Sequence, residues 1–136
     1  MGQDRETGAA GNAYGHRMGK AVAALLQLEK LSDRSNEVKW RGGLAVIKSC
    51  GPRTTSFGVT RKMLDQIDAI LVAFEDDSGN VEIIELAVDR FRQSMVDSRS
   101  SSAAGGRVKK VRRSLAQQDG VRLCVLKAGE LSAVGR

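Results

Sequence analysis

The stretch Asn36-Glu-Val-Lys-Trp-Arg-Gly-Gly-Leu-Ala-Val-Ile-Lys-Ser49 decides how the chain is read. Two runs of strand character flank Gly42-Gly43. A Gly-Gly pair in that setting predicts a two-residue hairpin turn, because both central positions of the favoured turn need φ > 0. The turn sets a register in which Arg41 faces Leu44, Lys39 faces Val46 and Glu37 faces Lys48. Side chains alternate along a strand, so Glu37, Lys39, Val46 and Lys48 are expected on one face. A carboxylate and an ammonium are thereby expected opposite each other.

Upstream of the hairpin, residues 1–14 are polar and Gly-rich and are expected to form a loose arm. A helix is expected over residues 15–31, with Met18, Val22, Leu25, Leu26 and Glu29 at helical spacing on one face. Downstream, residues 50–56 form a Gly-Pro loop and Phe57-Gly-Val-Thr60 a short extended piece. Thr60 is placed to cap a short helix over residues 61–66. Asp68-Ala-Ile-Leu-Val-Ala-Phe74 is a nearly continuous apolar run, as a buried central strand requires. Asp77-Ser-Gly-Asn80 marks a turn, and Val81-Glu-Ile-Ile-Glu-Leu86 reads as the return strand. Residues 87–96 are expected to be helical. Residues 97–106 are Ser/Gly-rich and read as a flexible surface segment. A basic helix is expected from Arg107, stopped by Asp119-Gly120. The last strand is Val121-Arg-Leu-Cys-Val-Leu126, and residues 127–136 form a tail. This order implies one α/β domain with a mixed sheet over residues 15–126.

Composition narrows the functional classes. The chain has 136 residues, a length that suits one domain, and 28% of them are charged. Aromatics make up only 4%, so the core must be mostly aliphatic. No apolar run approaches the ~18 residues needed to span a bilayer, and the first residues lack an apolar export core. Cys50 and Cys124 are the only cysteines, read as free thiols in a cytoplasmic protein. No Cys/His spacing suits zinc. His16 is the only histidine, which leaves Ser49 and Cys50 without a base and assigns them structural roles. The formal net charge of +6 points to a polyanionic partner or simply to a basic soluble protein. Within Arg107 to Arg113, five of seven residues are cationic: Arg107, Lys109, Lys110, Arg112 and Arg113. They are the candidates for neutralising nucleic-acid phosphates, the alternative being a solvated helix face.

The hairpin, together with Leu64-Asp-Gln-Ile-Asp68 leading into Ala69-Ile-Leu-Val-Ala-Phe74, resembles the restriction-endonuclease-like superfamily, the PD-(D/E)XK nucleases. The resemblance covers residues 15–126 and implies a restriction-endonuclease-like mixed sheet flanked by helices. In that family one hairpin strand carries an acid and the next an acid-X-lysine motif. Here Glu37 stands at the first acidic position and Val46-Ile47-Lys48-Ser49 at the second, with Val46 in place of the second acid. The resemblance implies DNA as partner and phosphodiester hydrolysis with Mg²⁺ or Mn²⁺, since hard divalent cations prefer oxygen ligands. Glu37 and Glu29 become the metal ligands, Glu29 replacing the missing acid, with Lys48 beside the attacking water. A homodimer is the common way such an enzyme cuts two strands. Three other readings stand beside this one. Glu37–Lys48 is a cross-strand ion pair worth up to about 1 kcal/mol; Glu37-Val-Lys39, linked to Asp33, is the motif; or the chain is a catalytically inactive member that binds DNA or acts in protein assembly. A basic protein-interaction module without nucleic-acid function is a further class.

Overall fold

The computed structural model describes residues 2–33, 35–98 and 107–130, with side chains from Ala13 onward. The Ser/Gly-rich stretch over residues 99–106 and the end of the tail lie outside the described residues.

β4 (Ala69–Glu75) is the centre of the molecule. Ala69 through Phe74 are all buried, so both faces of this strand must be covered. Its partners are β2 (Gly43–Cys50), which runs parallel to it, and β5 (Val81–Ala87), which returns antiparallel. β1 (Glu37–Trp40) and β8 (Val121–Leu126) complete a five-stranded sheet in the order β1-β2-β4-β5-β8. The β4–β5 turn is chemically specified: Asp76 Oδ1 accepts from Ser78 N and Asn80 N, and Gly79 takes φ 84.

The two faces of this sheet have different covers. Val38, Ala45, Ile47, Leu71, Ala73 and Ile83 pack against Met18 and Val22 of α1 (Gly2–Leu25). Val46, Ile70, Val72, Phe74, Ile84 and Leu86 form the other core with Phe57, Phe91 and Val111. The ring of Phe57 lies 6.0 Å from that of Phe74 and 5.9 Å from that of Phe91. This second core is roofed by a three-stranded sheet in the order β3-β7-β6, comprising β3 (Ser56–Thr60), β6 (Val96–Asp97) and β7 (Val108–Arg112). The short helices α2 (Arg61–Leu64), α3 (Val88–Ser94) and α4 (Arg113–Asp119) complete that layer. Thr60 caps α2 as expected, accepting from Met63 N at 3.1 Å. The class is mixed α/β, and no helix among the described residues is long and apolar enough to cross a membrane.

Three local expectations are corrected. α1 begins at Gly2 and ends at Leu25, so the stretch expected as a loose arm is helical. Gly19 lets the helix approach the β1 entrance: a Cβ there would lie 2.3 Å from Asn36 Oδ1. The hairpin turn is Arg41-Gly42, with φ 47 and 83, rather than Gly42-Gly43. Gly43 is already in β2, where a Cβ would sit 1.8 Å from Asp68 Oδ2. Asp68 clamps this corner: its carboxylate accepts from Leu44 N, and its own N–H donates to Leu44 O. The resulting register pairs Glu37 with Val46 and Lys39 with Leu44. Finally, the basic segment expected as helix is strand β7, and the helix after it starts only at Arg113.

Candidate functional site

The hairpin places Glu37 and Lys48 on the same face, because its register differs from the expected one by two residues, but not opposite each other. Lys48 lies two residues beyond Val46, the partner of Glu37. Glu37 Oε1 is met by Ser35 Oγ at 3.4 Å, and Ser35 Oγ accepts from Glu37 N at 2.9 Å. Glu29 is not on the helix. Gln27, at φ 55, turns the chain after α1, and residues 29–31 then run antiparallel to β1. Lys39 N donates to Glu29 O and Leu31 N to Glu37 O, so Glu29 stands opposite Lys39. Their side chains meet at 3.2 Å, both largely exposed. Glu29 is therefore carried towards the hairpin turn, whereas Lys48 lies on the other side of Glu37. Among the described residues no three His, Cys, Asp or Glu side chains form a group able to hold a metal. Val46 is 3% exposed and packs in the second core, so its position faces hydrocarbon.

Lys48 has no ion pair or hydrogen bond among the described residues, and burial pulls its pKa down from the ordinary 10.5. Because the unfolded chain binds more protons in this window, stability rises with pH between the lowered folded value and 10.5. The cost of enclosing the charge is thus present at neutral pH. Lys48→Met is expected to raise the melting temperature at neutral pH and to flatten the alkaline rise. Thermal melts over a pH series check both.

In the basic segment, strand alternation separates the cations. Phe57, Val59 and Val111 face the core, and Lys109, paired with Val59, shares that side. The ammonium of Lys109 is bonded to the carboxylate of Asp97, its neighbour on β6. Arg113 is also committed: it donates to Gly51 O (2.9 Å), Thr54 O (3.3 Å) and Glu75 O (2.7 Å) and lies 5.0 Å from the Phe74 ring centroid. Arg107 leads into β7, where its carbonyl accepts from Arg61 N. Lys110 and Arg112 point the other way from Val111 and have no acidic partner among the described residues. They line a half-open groove of about 980 Å³ together with Thr55, Ser56, Ser94 and Ser114. Among the described residues the single acid lining it, Asp97, is neutralised by Lys109. The sequence reading singled out these cations but missed the hydroxyls around them. The Thr55-Ser56 pair and the Arg-Arg-Ser run give no local sign of meeting across β3 and β7.

Two further polar contacts shape the strand ends. Tyr14 Oη donates to Glu75 Oε1 at 2.8 Å, and Trp40 Nε1 donates to Glu85 at 2.9 Å. Burial and then the Glu75 carboxylate push the Tyr14 phenol well above its ordinary pKa, which keeps it a donor. Both cysteines are free, and burial pushes the Cys50 thiol up to about 11, which makes it unreactive. No protein-family model, no curated protein and no solved structure matches the chain.

Proposed function

We propose that this protein binds the phosphate backbone of DNA in the groove between β6, β7 and α4, on a restriction-endonuclease-like scaffold. One observation carries the reading: among the described residues Lys110 and Arg112 stand without acidic partners in a groove ringed by hydroxyls, while neighbouring Lys109 has its charge matched. Cations and hydroxyl donors together are the usual partners of phosphate oxygens. The two free thiols suit a cytoplasmic setting. The hairpin then serves as a structural corner, in a member without cleavage activity. A second reading, cleavage with Mg²⁺ or Mn²⁺, is favoured by Glu37 and Lys48 sharing one face and by the unpaired ammonium of Lys48. In that reading Glu37 is the first metal ligand, and Glu29 must leave Lys39 to become the second.

The test is fluorescence anisotropy with a labelled DNA duplex over a salt series. Two or three phosphate contacts give a slope of log K against log salt of about −2 to −3. Lys110→Gln with Arg112→Gln is expected to flatten the slope by about 1.8, whereas Lys109→Gln with Asp97→Asn, which removes a matched pair, leaves it unchanged. Equal slopes in wild type and the double variant would remove the groove from DNA binding. Plasmid incubated with each metal, with a chelator control, separates the two readings. Cleavage abolished by Glu37→Gln and by Lys48→Ala establishes the second.

A further inference from the structure

A separate concavity of about 600 Å³ lies on the opposite side of the main sheet, between α1, the β4–β5 turn and Ala128-Gly129. Its floor is apolar: Met18, Ala21 and Val81 are 5%, 4% and 1% exposed. Its rim is cationic. Arg17 and Lys20 are exposed and have no hydrogen-bonded or ionic partner among the described residues. The acid lining it is Glu75, and one oxygen of that carboxylate is held by Tyr14 Oη at 2.8 Å. The rim cations therefore outnumber the acid among the described residues.

We propose that this concavity binds a small organic anion, a carboxylate or sulfonate carried on a short apolar body. The volume lies within the ~300–1,000 Å³ of small-molecule sites, and an apolar floor with a few convergent polar groups is their usual construction. The apolar body lies against the floor formed by Met18, Ala21 and Val81 and is itself removed from water. The anionic head stays at the mouth, where Arg17 and Lys20 reach it in partial solvent. A neutral apolar ligand leaves both cations unused, and an inorganic anion has no apolar body to withdraw from water; amphipathic character is thus the selected property. The site shares no residue with the groove along β7 and stands independently of the DNA reading.

Anilinonaphthalene sulfonate, which brightens on leaving water, is the probe, titrated into the full chain. A saturable rise with one site is expected, displaced by octanoate and not by octanol. Reversing the rim with Arg17→Glu and Lys20→Glu together is expected to weaken the probe about tenfold or more, the loss of about 1.4 kcal/mol of charge attraction. Exchanging the cations, Arg17→Lys with Lys20→Arg, should keep most of the affinity. Both positions are exposed, and matching melts of wild type and variants confirm an unchanged fold. A rise that never saturates, displacement by octanol equal to that by octanoate, or unchanged affinity in the charge-reversed protein would each overturn the assignment.

Discussion

Arg113→Ala is expected to lower stability by about 3–5 kcal/mol, the size of loss that follows from breaking a hydrogen-bond network. The guanidinium donates to three backbone carbonyls, those of Gly51, Thr54 and Glu75, at 2.9, 3.3 and 2.7 Å. These carbonyls close the ends of β2 and β4, where the two parallel strands leave the sheet. Hydrogen bonds to a charged donor contribute ~1.5–3 kcal/mol each, less when they share one donor. Stacking on Phe74 adds a cation–π contact and shields the group from water. Arg113→Lys is expected to recover little, because an ammonium lacks the planar fork that reaches several acceptors at once. Denaturant melts check the size. A near-wild-type melt combined with lost DNA affinity would make Arg113 a groove ligand and not a brace. Neutralising Lys109 and Arg113 along with Lys110 and Arg112 therefore confounds folding with binding, and the double variant is the cleaner experiment.

Gly120→Ala is expected to cost about 3 kcal/mol, at the upper end of what overpacking does. The φ of Gly120 is −82, which any residue adopts, so the backbone angle is not the reason. Room is the reason. An added Cβ would lie 2.3 Å from Ile84 Cγ2, 2.6 Å from Ala116 O and 2.9 Å from Glu85 O. Two of these three neighbours are backbone and cannot swing aside. Gly120 joins α4 to β8, and the clash would push Val121 off Glu85, its partner in the sheet. Gly51→Ala is the control, since its Cβ meets nothing closer than 3.8 Å, and it should melt within about 0.5 kcal/mol of wild type. Equal melts for the two variants would mean that β8 is free to shift.

How much of this was legible beforehand depends on whether a residue's preference is satisfied locally. The run Ala69 to Phe74 has no polar position to offer solvent, so a strand buried on both faces follows from the residues alone. The turn at Asp76 to Asn80 carries its own hydrogen bonds, and Thr60 its own cap. Each of these needs only neighbours within a few positions. The shared face of Glu37 and Lys48 survived only because the register moved by two residues, an even slip that leaves each side chain on its face.

The remaining features needed partners distant in sequence. Gly15 and Gly19 disfavour a helix by up to ~1 kcal/mol each, yet at Gly19 the missing side chain is one that would collide with Asn36 at the β1 entrance. The turn moved to Arg41-Gly42 because Asp68, twenty-five residues after Gly43, needs the space beside that glycine. Val108 and Val111 suit a helix by spacing, but Phe57 and Val59 on β3 require a strand partner, and β7 supplies it. That pairing divided the cationic run, sending Lys110 and Arg112 into the groove and Lys109 to Asp97. The sequence alone determined the central strand and its turn; the tertiary structure decided the hairpin's register, with it the face shared by Glu37 and Lys48, and which cations of the basic run meet an acid among the described residues, because each of those depends on a backbone or carboxylate that arrives from another part of the chain.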